Sequence, residues 1–403
     1  MLSHCFNMFR RSDRGRFDWF RIFTLFVSAL LLIPTVAAAQ DQVSNLAIVA
    51  NGLTKPEADI FPTLSIVNLD EPDADRAVAD EEIPLGDIIP SDLVAQENLL
   101  YVVNQTRDPF FDPRGGYVEV IDLLTRSTVG KIVIESDTTP KQIAIVESSK
   151  AYVTGLYSDK VDVVDLNRHR VIKRIPAGQM PDGITVLNGK AYVANSAYAK
   201  EEGTWNVSYD DNSSVTVIDT ANDTVLKTIP MPINTSSIAN DRESKVIAVS
   251  AGVGDWIVPG GIPGAIVIID TLTDEIVDTI ELDERAGSPV VDSMKRLFIS
   301  SGGLLVYDLI GNQWLHGPDN PFSDLGGVGA IDEDDKLYIT RADWSGGGMD
   351  ELHVVSPNAV LLETYRVGHG ASGVALAQVE TLLTAVSPQG KLATSWGKLK
   401  SSN

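Results

Sequence analysis

Short apolar runs that end in a small or polar residue recur along the chain at intervals of about 40 to 50 residues, the length of one four-stranded propeller blade. Seven copies are found: Leu46–Asn51, Leu100–Asn104, Ala151–Thr154, Ala191–Asn195, Val246–Ser250, Leu297–Ser300 and Leu337–Thr340. A second apolar run follows each copy, usually closing on aspartate: Leu64–Asp70, Val118–Asp122, Val161–Asp165, Val215–Asp219, Ile266–Asp270, Leu304–Asp308 and Leu352–Ser356. Such runs indicate strands that are buried on both faces between neighbouring sheets.

Two further segments complete each unit. In one, apolar and polar residues tend to alternate, as in Val225–Ile229 and Ile276–Ile280, which is typical of a half-exposed edge strand. The other often follows proline or glycine, as in Pro140–Ile145 and Pro181–Ile184. No stretch has convincing amphipathic-helix spacing. The pattern predicts an all-β fold, a seven-bladed β-propeller of four-stranded antiparallel blades, with repeats over about residues 46–386.

Closure of the ring requires strands from the two ends of the chain to share one blade. Segments near Val374–Leu376 and Leu382–Val386 are expected to complete the blade that begins near Leu46. Because Leu46–Ala50 and Leu382–Val386 could fill the same strand position, the closing register stays open. An eight-bladed ring is the alternative, since propellers of four to eight blades occur.

The units resemble the YVTN repeat, named for a Tyr-Val-Thr-Asn strand. Tyr152-Val153-Thr154 and Tyr192-Val193-Ala194-Asn195 are the closest matches, and Ser214–Pro230 resembles the remainder of the unit. The resemblance implies a seven-bladed propeller, a fold frequent among exported or surface proteins of bacteria and archaea. Similar propellers include lactonases and the heavy subunits of quinoprotein amine dehydrogenases, so the resemblance is specific for fold and unspecific for function.

The first residues have the order of a secretory signal. A basic segment with five arginines precedes the apolar run Ile22–Ala39, which ends in three alanines before Gln40. We expect residues 1–39 to be a signal peptide and residues 40–403 a single propeller domain. An uncleaved anchor is the alternative, since the apolar run approaches the length of a bilayer span. Cleavage would remove Cys5, the single cysteine, and leave no other segment able to span a membrane.

The charge balance narrows the class of partner. The chain has 32 Lys+Arg against 55 Asp+Glu, a formal net charge of -23. A field of this sign repels polyphosphates, which argues against nucleic acid or an anionic lipid surface as the main partner. We expect an exported monomer in the periplasm, in the extracellular space or at the cell surface.

Long insertions are expected to gather on one face. In a propeller, the loops that join the two middle strands lie on the same face as those entering the innermost strand. Five such loops are long: Gly52–Thr63, Gln105–Gly116, Ser196–Ser213, Ala251–Gly264 and Arg341–Asp350. Exposed aromatic side chains are common anchors for partners. The candidate ligand-binding residues are Phe110, Phe111, Trp205, Tyr209, Trp256, Trp344 and, from the Gly368–Gly373 loop, His369. The alternative is that these rings only cover the loop bases.

The aspartates fall into two groups, a loop pair that could bind a metal ion and a set that recurs at strand ends. Asp210 and Asp211 offer oxygen ligands for calcium, although they match no EF-hand loop. The strand-end aspartates recur once per blade, so we interpret them as structural acceptors for the turns that follow. Those aspartates are Asp122, Asp165, Asp219, Asp270 and Asp308. No cofactor is expected otherwise.

Three functions remain open. The first is a non-enzymatic binding or scaffold protein of the bacterial envelope, which would hold a protein, peptide or carbohydrate through the aromatic loops. The second is a lactonase-like, metal-dependent hydrolase with its site at the channel mouth, and the third is a quinoprotein-type subunit. A channel-bound cation needs converging oxygen ligands. Among the segments that enter the channel, Asp182 is the one carboxylate we identify, so the hydrolase ranks second.

Overall fold

Thirty strands and one short helix make up the part of the chain that the structure describes. The structure is a computed structural model, and it describes residues 42–55, 58–79, 82–86, 88–106, 115–135, 138–200, 207–209, 211–255, 257–282, 285–323, 327–342 and 349–381. Residues Val43–Thr381 form one compact unit. Within the described ranges, we find no helix with the length and apolar character of a membrane span.

The first four blades follow the predicted repeat. Blade 1 begins with β1 (Gln42–Asn51), β2 (Thr63–Asn68), the helix α1 (Ala74–Ala77) and β3 (Ile83–Pro84). Blade 2 comprises β4 (Ile88–Gln96), β5 (Leu99–Thr106), β6 (Gly116–Asp122) and β7 (Ser127–Ile134). Blade 3 comprises β8 (Pro140–Glu147), β9 (Lys150–Gly155), β10 (Lys160–Asp165) and β11 (Arg170–Pro176). Blade 4 comprises β12 (Pro181–Leu187), β13 (Lys190–Asn195), the loop hairpin β14 (Tyr198–Lys200) and β15 (Val207–Tyr209), β16 (Ser214–Asp219) and β17 (Thr224–Pro230).

The remaining blades repeat the same order, and the last strand returns to blade 1. Blade 5 comprises β18 (Thr235–Asn240), β19 (Lys245–Ser250), β20 (Ala265–Asp270) and β21 (Glu275–Glu281). Blade 6 comprises β22 (Pro289–Val291), β23 (Arg296–Ser300), β24 (Leu304–Asp308) and β25 (Gln313–His316). Blade 7 comprises β26 (Val328–Ile331), β27 (Leu337–Arg341), β28 (Asp350–Val355) and β29 (Leu361–Val367), and β30 (Ala371–Thr381) follows.

The ring has seven blades and closes through the two ends of the described chain. One sheet has the order β3-β2-β1-β30, so the final strand pairs with the first one and takes the innermost place in blade 1. Around the axis, β4, β8, β12, β18, β22, β26 and β30 each contact the next, and β30 contacts β4. This confirms the seven-bladed fold and resolves the closing register for Val374–Leu376. The segment Leu382–Val386 lies outside the described residues.

Apolar side chains fill the space between successive sheets. In one cluster, Val118 and Ile132 of blade 2 pack against Ala151 and Val153 of blade 3, and all four are nearly inaccessible to solvent. The middle strands supply both sides of such clusters because each is apolar at successive positions. Burial of these strands between neighbours is what their sequence pattern predicts.

The strand-end aspartates have the structural role predicted for them. Asp219 Oδ1 accepts hydrogen bonds from the backbone N–H groups of Ala221 and Asn222, at 2.8 and 2.9 Å. Asp122, Asp270 and Asp308 each accept two N–H groups from their own turns in the same way. Each aspartate therefore closes the turn into the outermost strand of its blade.

The tyrosine of the YVTN-like strand holds its blade to the next one. Tyr152 donates its hydroxyl hydrogen to Asp223 in the β16–β17 turn, and Lys150 Nζ lies 3.2 Å from the same carboxylate. The following pair of blades repeats the arrangement with Tyr192, Lys190 and Asp274, where the phenol–carboxylate distance is 2.7 Å. We call each Lys-Tyr-Asp group an interblade latch.

Blades 2 and 3 lack the latch for a reason visible in the sequence. Register places Leu99 and Tyr101 of β5 where the latched strands have lysine and tyrosine. The turn position equivalent to Asp223 is His169. Tyr101 is buried and makes no side-chain hydrogen bond to another described residue, so it is a matched control for the latched tyrosines.

Replacing Tyr152 or Tyr192 by Phe should lower the free energy of unfolding by about 1.5 kcal/mol, because each change removes a hydrogen bond to a carboxylate. The equivalent change at Tyr101 should cost less than about 0.5 kcal/mol. Urea unfolding followed by tryptophan fluorescence measures both values. Equal losses at all three positions would show that the latch contributes nothing beyond ring packing.

Candidate functional site

The long loops gather on one face, as predicted. Gly52 of the β1–β2 loop donates its backbone N–H to Gly370 O, in the loop that enters β30, at 2.8 Å. Ala251 is bonded in the same way to Asn234, which precedes β18. We call this side of the ring the loop face and the other side the opposite face. The innermost strands β18 and β30 therefore begin at the loop face.

Most of the predicted aromatic residues lie outside the part of the chain that is described. This is true of Phe110, Phe111, Trp205, Trp256 and Trp344. Tyr209 is the last residue of β15 and pairs with Tyr198 across the loop hairpin. The hairpin forms a two-stranded sheet of its own within the Ser196–Ser213 insertion.

Of the two candidate metal ligands, the structure describes only one. Asp210 lies outside the described residues, whereas Asp211 is exposed in the turn that follows β15. In the ranges that the structure covers, no three His, Cys, Asp or Glu side chains are grouped so that they could hold a metal ion. A calcium site at Asp210 and Asp211 stays a prediction.

The base of the Ala251–Gly264 loop is built by a close backbone approach. Val253 and Ile262 form an isolated antiparallel bridge with reciprocal 2.8 Å hydrogen bonds. Gly252 has φ +71°, and a Cβ atom there would lie 2.4 Å from Ile262 O. Glycine is required at this position because a larger residue would meet backbone in a left-handed conformation.

His369 lies on the loop face, in the turn between β29 and β30. Asp350 Oδ2 accepts the backbone N–H groups of Gly370 and Ala371 at 2.5 and 2.8 Å, which fixes the turn after the histidine. The carbonyl of His369 accepts the N–H of Leu53 at 3.2 Å. The imidazole is half-buried, and its Nδ1 has no hydrogen-bond partner among the described residues. The placement agrees with the sequence prediction, and a ligand role stays a prediction.

A β-bulge recurs near the start of the innermost strands and forms a collar at the channel mouth. The pairing register shifts between Pro90 and Asp92 in β4, between Pro140 and Ile143 in β8, and between Pro181 and Ile184 in β12. The residues that enter the bulges include Ser91, Lys141, Asp182 and Ser236. Bulges of this kind redirect side chains and are common beside functional sites.

Side chains of the collar also join neighbouring blades. Asp92 Oδ2 accepts the N–H of Ile143 in the next blade at 2.9 Å, and Gln142 Oε1 accepts the N–H of Ile184 at 3.1 Å. The equivalent residue in blade 4 is Gly183, where a Cβ atom would lie 2.8 Å from Ser236 O. Strands β4 and β8 thus reach the next blade through an acceptor side chain, and β12 reaches it by direct backbone approach.

Asp92 is the functional-site candidate that sequence reasoning missed. We identified one carboxylate, Asp182, in the channel-entry segments, and this was wrong because Asp92 of β4 is a second. Burial raises the pKa of Asp92 to about 6, against the lowering effect of the Ile143 and Leu93 N–H groups and of the Lys141 charge. Burial also raises the pKa of Asp182, and Lys141 lowers it. Lys141 is thus the cation that partly compensates two half-buried carboxylates.

Comparison with known proteins supports the fold and assigns neither a family nor a function. No protein-family model matches the chain, and no curated protein sequence matches it. The structure is similar to a chain of Kuenenia stuttgartiensis hydrazine synthase, with 17% sequence identity and a TM-score of 0.53. The match covers 73% of this chain and 96% of that one. At this identity the similarity shows a shared β-propeller fold.

The raised pKa of Asp92 predicts a stability that depends on pH. The folded protein holds this proton up to about pH 6, whereas the unfolded chain releases it near 4, so stability from this group falls as the pH rises between those values. Asp92→Asn, which keeps an acceptor for Ile143 N–H, should raise the free energy of unfolding at pH 7.5 by on the order of 2 kcal/mol.

Urea unfolding at pH 4 and pH 7.5 tests the effect, and Asp319→Asn on an exposed loop is the matched control. The gain from Asp92→Asn should disappear at pH 4, while the control should show no gain at either pH. A gain of the same size at both pH values would exclude the ionisation of Asp92 as its cause.

Proposed function

We propose that this propeller is an exported, non-enzymatic binding protein of the bacterial envelope that captures a protein, peptide or carbohydrate on its loop face. The observation that carries the proposal is that the bases of two long insertions lie beside the segments that enter innermost strands, in the Gly52–Gly370 and Ala251–Asn234 backbone contacts. Insertions that carry aromatic residues on a rigid ring are a common way to build a binding surface.

The chemistry of the collar also favours binding over catalysis. Lys141 supplies a positive charge beside Asp92 and Asp182, where a metal-dependent hydrolase would place its cation. An ammonium group tethered there competes electrostatically with a divalent ion for the same carboxylates. The polar collar then serves as the floor of a binding surface whose walls are the long loops.

The proposal includes export. Residues 1–39 have the basic, apolar and small-residue order of a secretory signal, and the remaining chain contains no cysteine that would need a reducing compartment. Export would place the loop face in the periplasm or outside the cell, where its partner would be found.

A lactonase-like hydrolase is the second candidate, because His369 lies at the loop face close to the collar end of β30. Elemental analysis of the purified protein together with a lactone and ester screen separates the two functions. A stoichiometric divalent ion, with turnover that is lost on its removal, would establish the hydrolase and overturn the binding proposal.

The binding proposal predicts the effect of removing the loop tryptophans. Combined replacement of Trp205, Trp256 and Trp344 by Ala should lower partner capture at least about tenfold, because buried aromatic anchors carry most of the energy of an interface. Capture is measured with immobilised protein against envelope extract and a glycan array. The melting temperature should change by less than about 3 °C.

The matched control removes exposed apolar side chains from the opposite face. Leu124, Leu272 and Ile310 are 47%, 82% and 75% exposed in turns of blades 2, 5 and 6. Their combined replacement by Ala should leave capture unchanged. Equal capture by the tryptophan variant and this control would refute binding through the loop face.

Export makes a separate prediction about the N-terminus. If the signal is cleaved after Ala39, the protein recovered from the periplasm or medium should begin at Gln40, and a cytoplasmic form should keep residues 1–39. N-terminal sequencing of both fractions tests this. Recovery of the uncleaved chain from the membrane fraction alone would support the anchor instead.

A further inference from the structure

One large cavity formed by the described residues is on the opposite face, away from the long loops. Its volume is about 1050 Å³. The lining includes the β4–β5 turn at Glu97, the β26–β27 turn at Asp332 and residues near the C-terminal end of β30. It therefore lies where innermost strands end, at the other mouth of the channel.

Part of the cavity lining is apolar, and we call this part the floor. Leu46, Ala95, Ile331, Leu376 and Ala377 contribute to its lining, and they come from four strands in blades 1, 2 and 7. Apolar surface that meets a large open cavity can bury part of a ligand and so stabilise its binding. The floor distinguishes this cavity from an ordinary solvated group of turns.

The wall is strongly anionic. Its carboxylates are Asp70, Glu97, Asp332, Glu333, Asp334 and Glu380, against the two cations Arg242 and Lys336. Lys336 is already paired, since its Nζ lies 3.0 Å from Asp334 and 3.7 Å from Asp332. The wall keeps an excess of negative charge that favours a cationic ligand.

Part of the wall is held in place by internal hydrogen bonds. Asn45 donates to both carboxylate oxygens of Asp70 at 2.8 Å. Asp332 Oδ1 accepts two backbone N–H groups of its turn, and its Oδ2 accepts the Tyr338 hydroxyl hydrogen at 3.1 Å. These carboxylates are therefore oriented before a ligand arrives, which lowers the entropic cost of binding.

Other carboxylates of the wall are not held by hydrogen bonds of this kind. Glu97, Glu333 and Glu380 are exposed, and their side chains make no hydrogen bond or ion pair with another described residue. They come from three separate elements, the β4–β5 turn, the β26–β27 turn and β30. They lie in the adjacent blades 7, 1 and 2, along one side of the mouth, and are available to basic side chains.

We propose that this cavity is a second binding site, which takes a basic peptide segment of a partner protein with apolar residues at its centre. The apolar floor receives the central side chains, and the three exposed glutamates receive flanking lysine or arginine side chains. The volume lies at the upper end of the usual range of ligand pockets, so the cavity has room for several side chains of a peptide segment. The site is independent of partner capture on the loop face.

The test uses the full chain and three fluorescein-labelled synthetic heptapeptides, with affinity measured by fluorescence anisotropy. The first has Lys and Arg at both ends around a Leu-Trp-Leu centre. The second keeps the basic ends around a Ser-Gly-Ser centre, and the third has acidic ends around Leu-Trp-Leu. We expect the first to bind at least about tenfold more tightly than either of the others.

A charge variant and a matched control locate the binding. Combined Glu97→Gln, Glu333→Gln and Glu380→Gln should weaken the first peptide about tenfold or more. Combined Glu281→Gln, Asp319→Asn and Glu363→Gln removes the same charge from exposed positions elsewhere and should change affinity less than about twofold. Raising the salt concentration from 50 to 500 mM should weaken binding, since exposed charges are screened.

Several outcomes would overturn the proposal. Equal weakening in both variants, or equal binding of the first two peptides, would mean general attraction of cations to an acidic chain. Equal or tighter binding of spermine would mean a site for small cations. Absence of binding by the first peptide would also overturn it. Each result leaves the loop-face proposal intact, because that proposal is tested with the tryptophan variant.

Discussion

Pairing between β1 and β30 is the constraint on which the rest of the structure depends. A propeller blade is apolar on both faces, so every sheet needs a neighbour on each side, and an open ring would leave two such faces in water. The last described strand, β30, lies innermost in the blade that contains the first described strand, β1, and this pairing closes the ring. Both proposed binding surfaces depend on closure, because each is assembled from strands and loops of several blades around one channel.

Contacts between blades are partly repeated and partly individual. The Lys-Tyr-Asp latches recur between blades 3, 4 and 5, and burial together with the hydrogen bond to aspartate raises the pKa of each latched tyrosine far above its usual value. At the collar, the side chains of Asp92 and Gln142 accept backbone N–H groups of the next blade. Gly183, which has no side chain, allows its backbone to approach that of the next blade. The backbone arrangement repeats from blade to blade, which keeps the ring regular. The side chains that join the blades vary, so the two channel mouths differ in chemistry.

The middle strands, the turn aspartates and the face that carries the long loops could all be predicted from the sequence, because each follows from periodicity or from repetition. The innermost strand β4 could not, since Ser91 and Asp92 interrupt the apolar pattern at the bulge. For the same reason Asp92 was missed as a channel carboxylate. The cavity on the opposite face joins residues from distant turns, and no local pattern places Glu97 beside Glu333 or Glu380.

Native-state amide hydrogen exchange of the full chain tests ring closure most directly. If β30 is the innermost strand of blade 1, its ladder amides and those of β1 should exchange in the slowest class, together with β9 and β13 of the central blades, because all open only with the ring. Exchange of β1 and β30 at the rate of surface turns, while β9 and β13 stay protected, would contradict closure through the chain ends and with it the common basis of both binding faces.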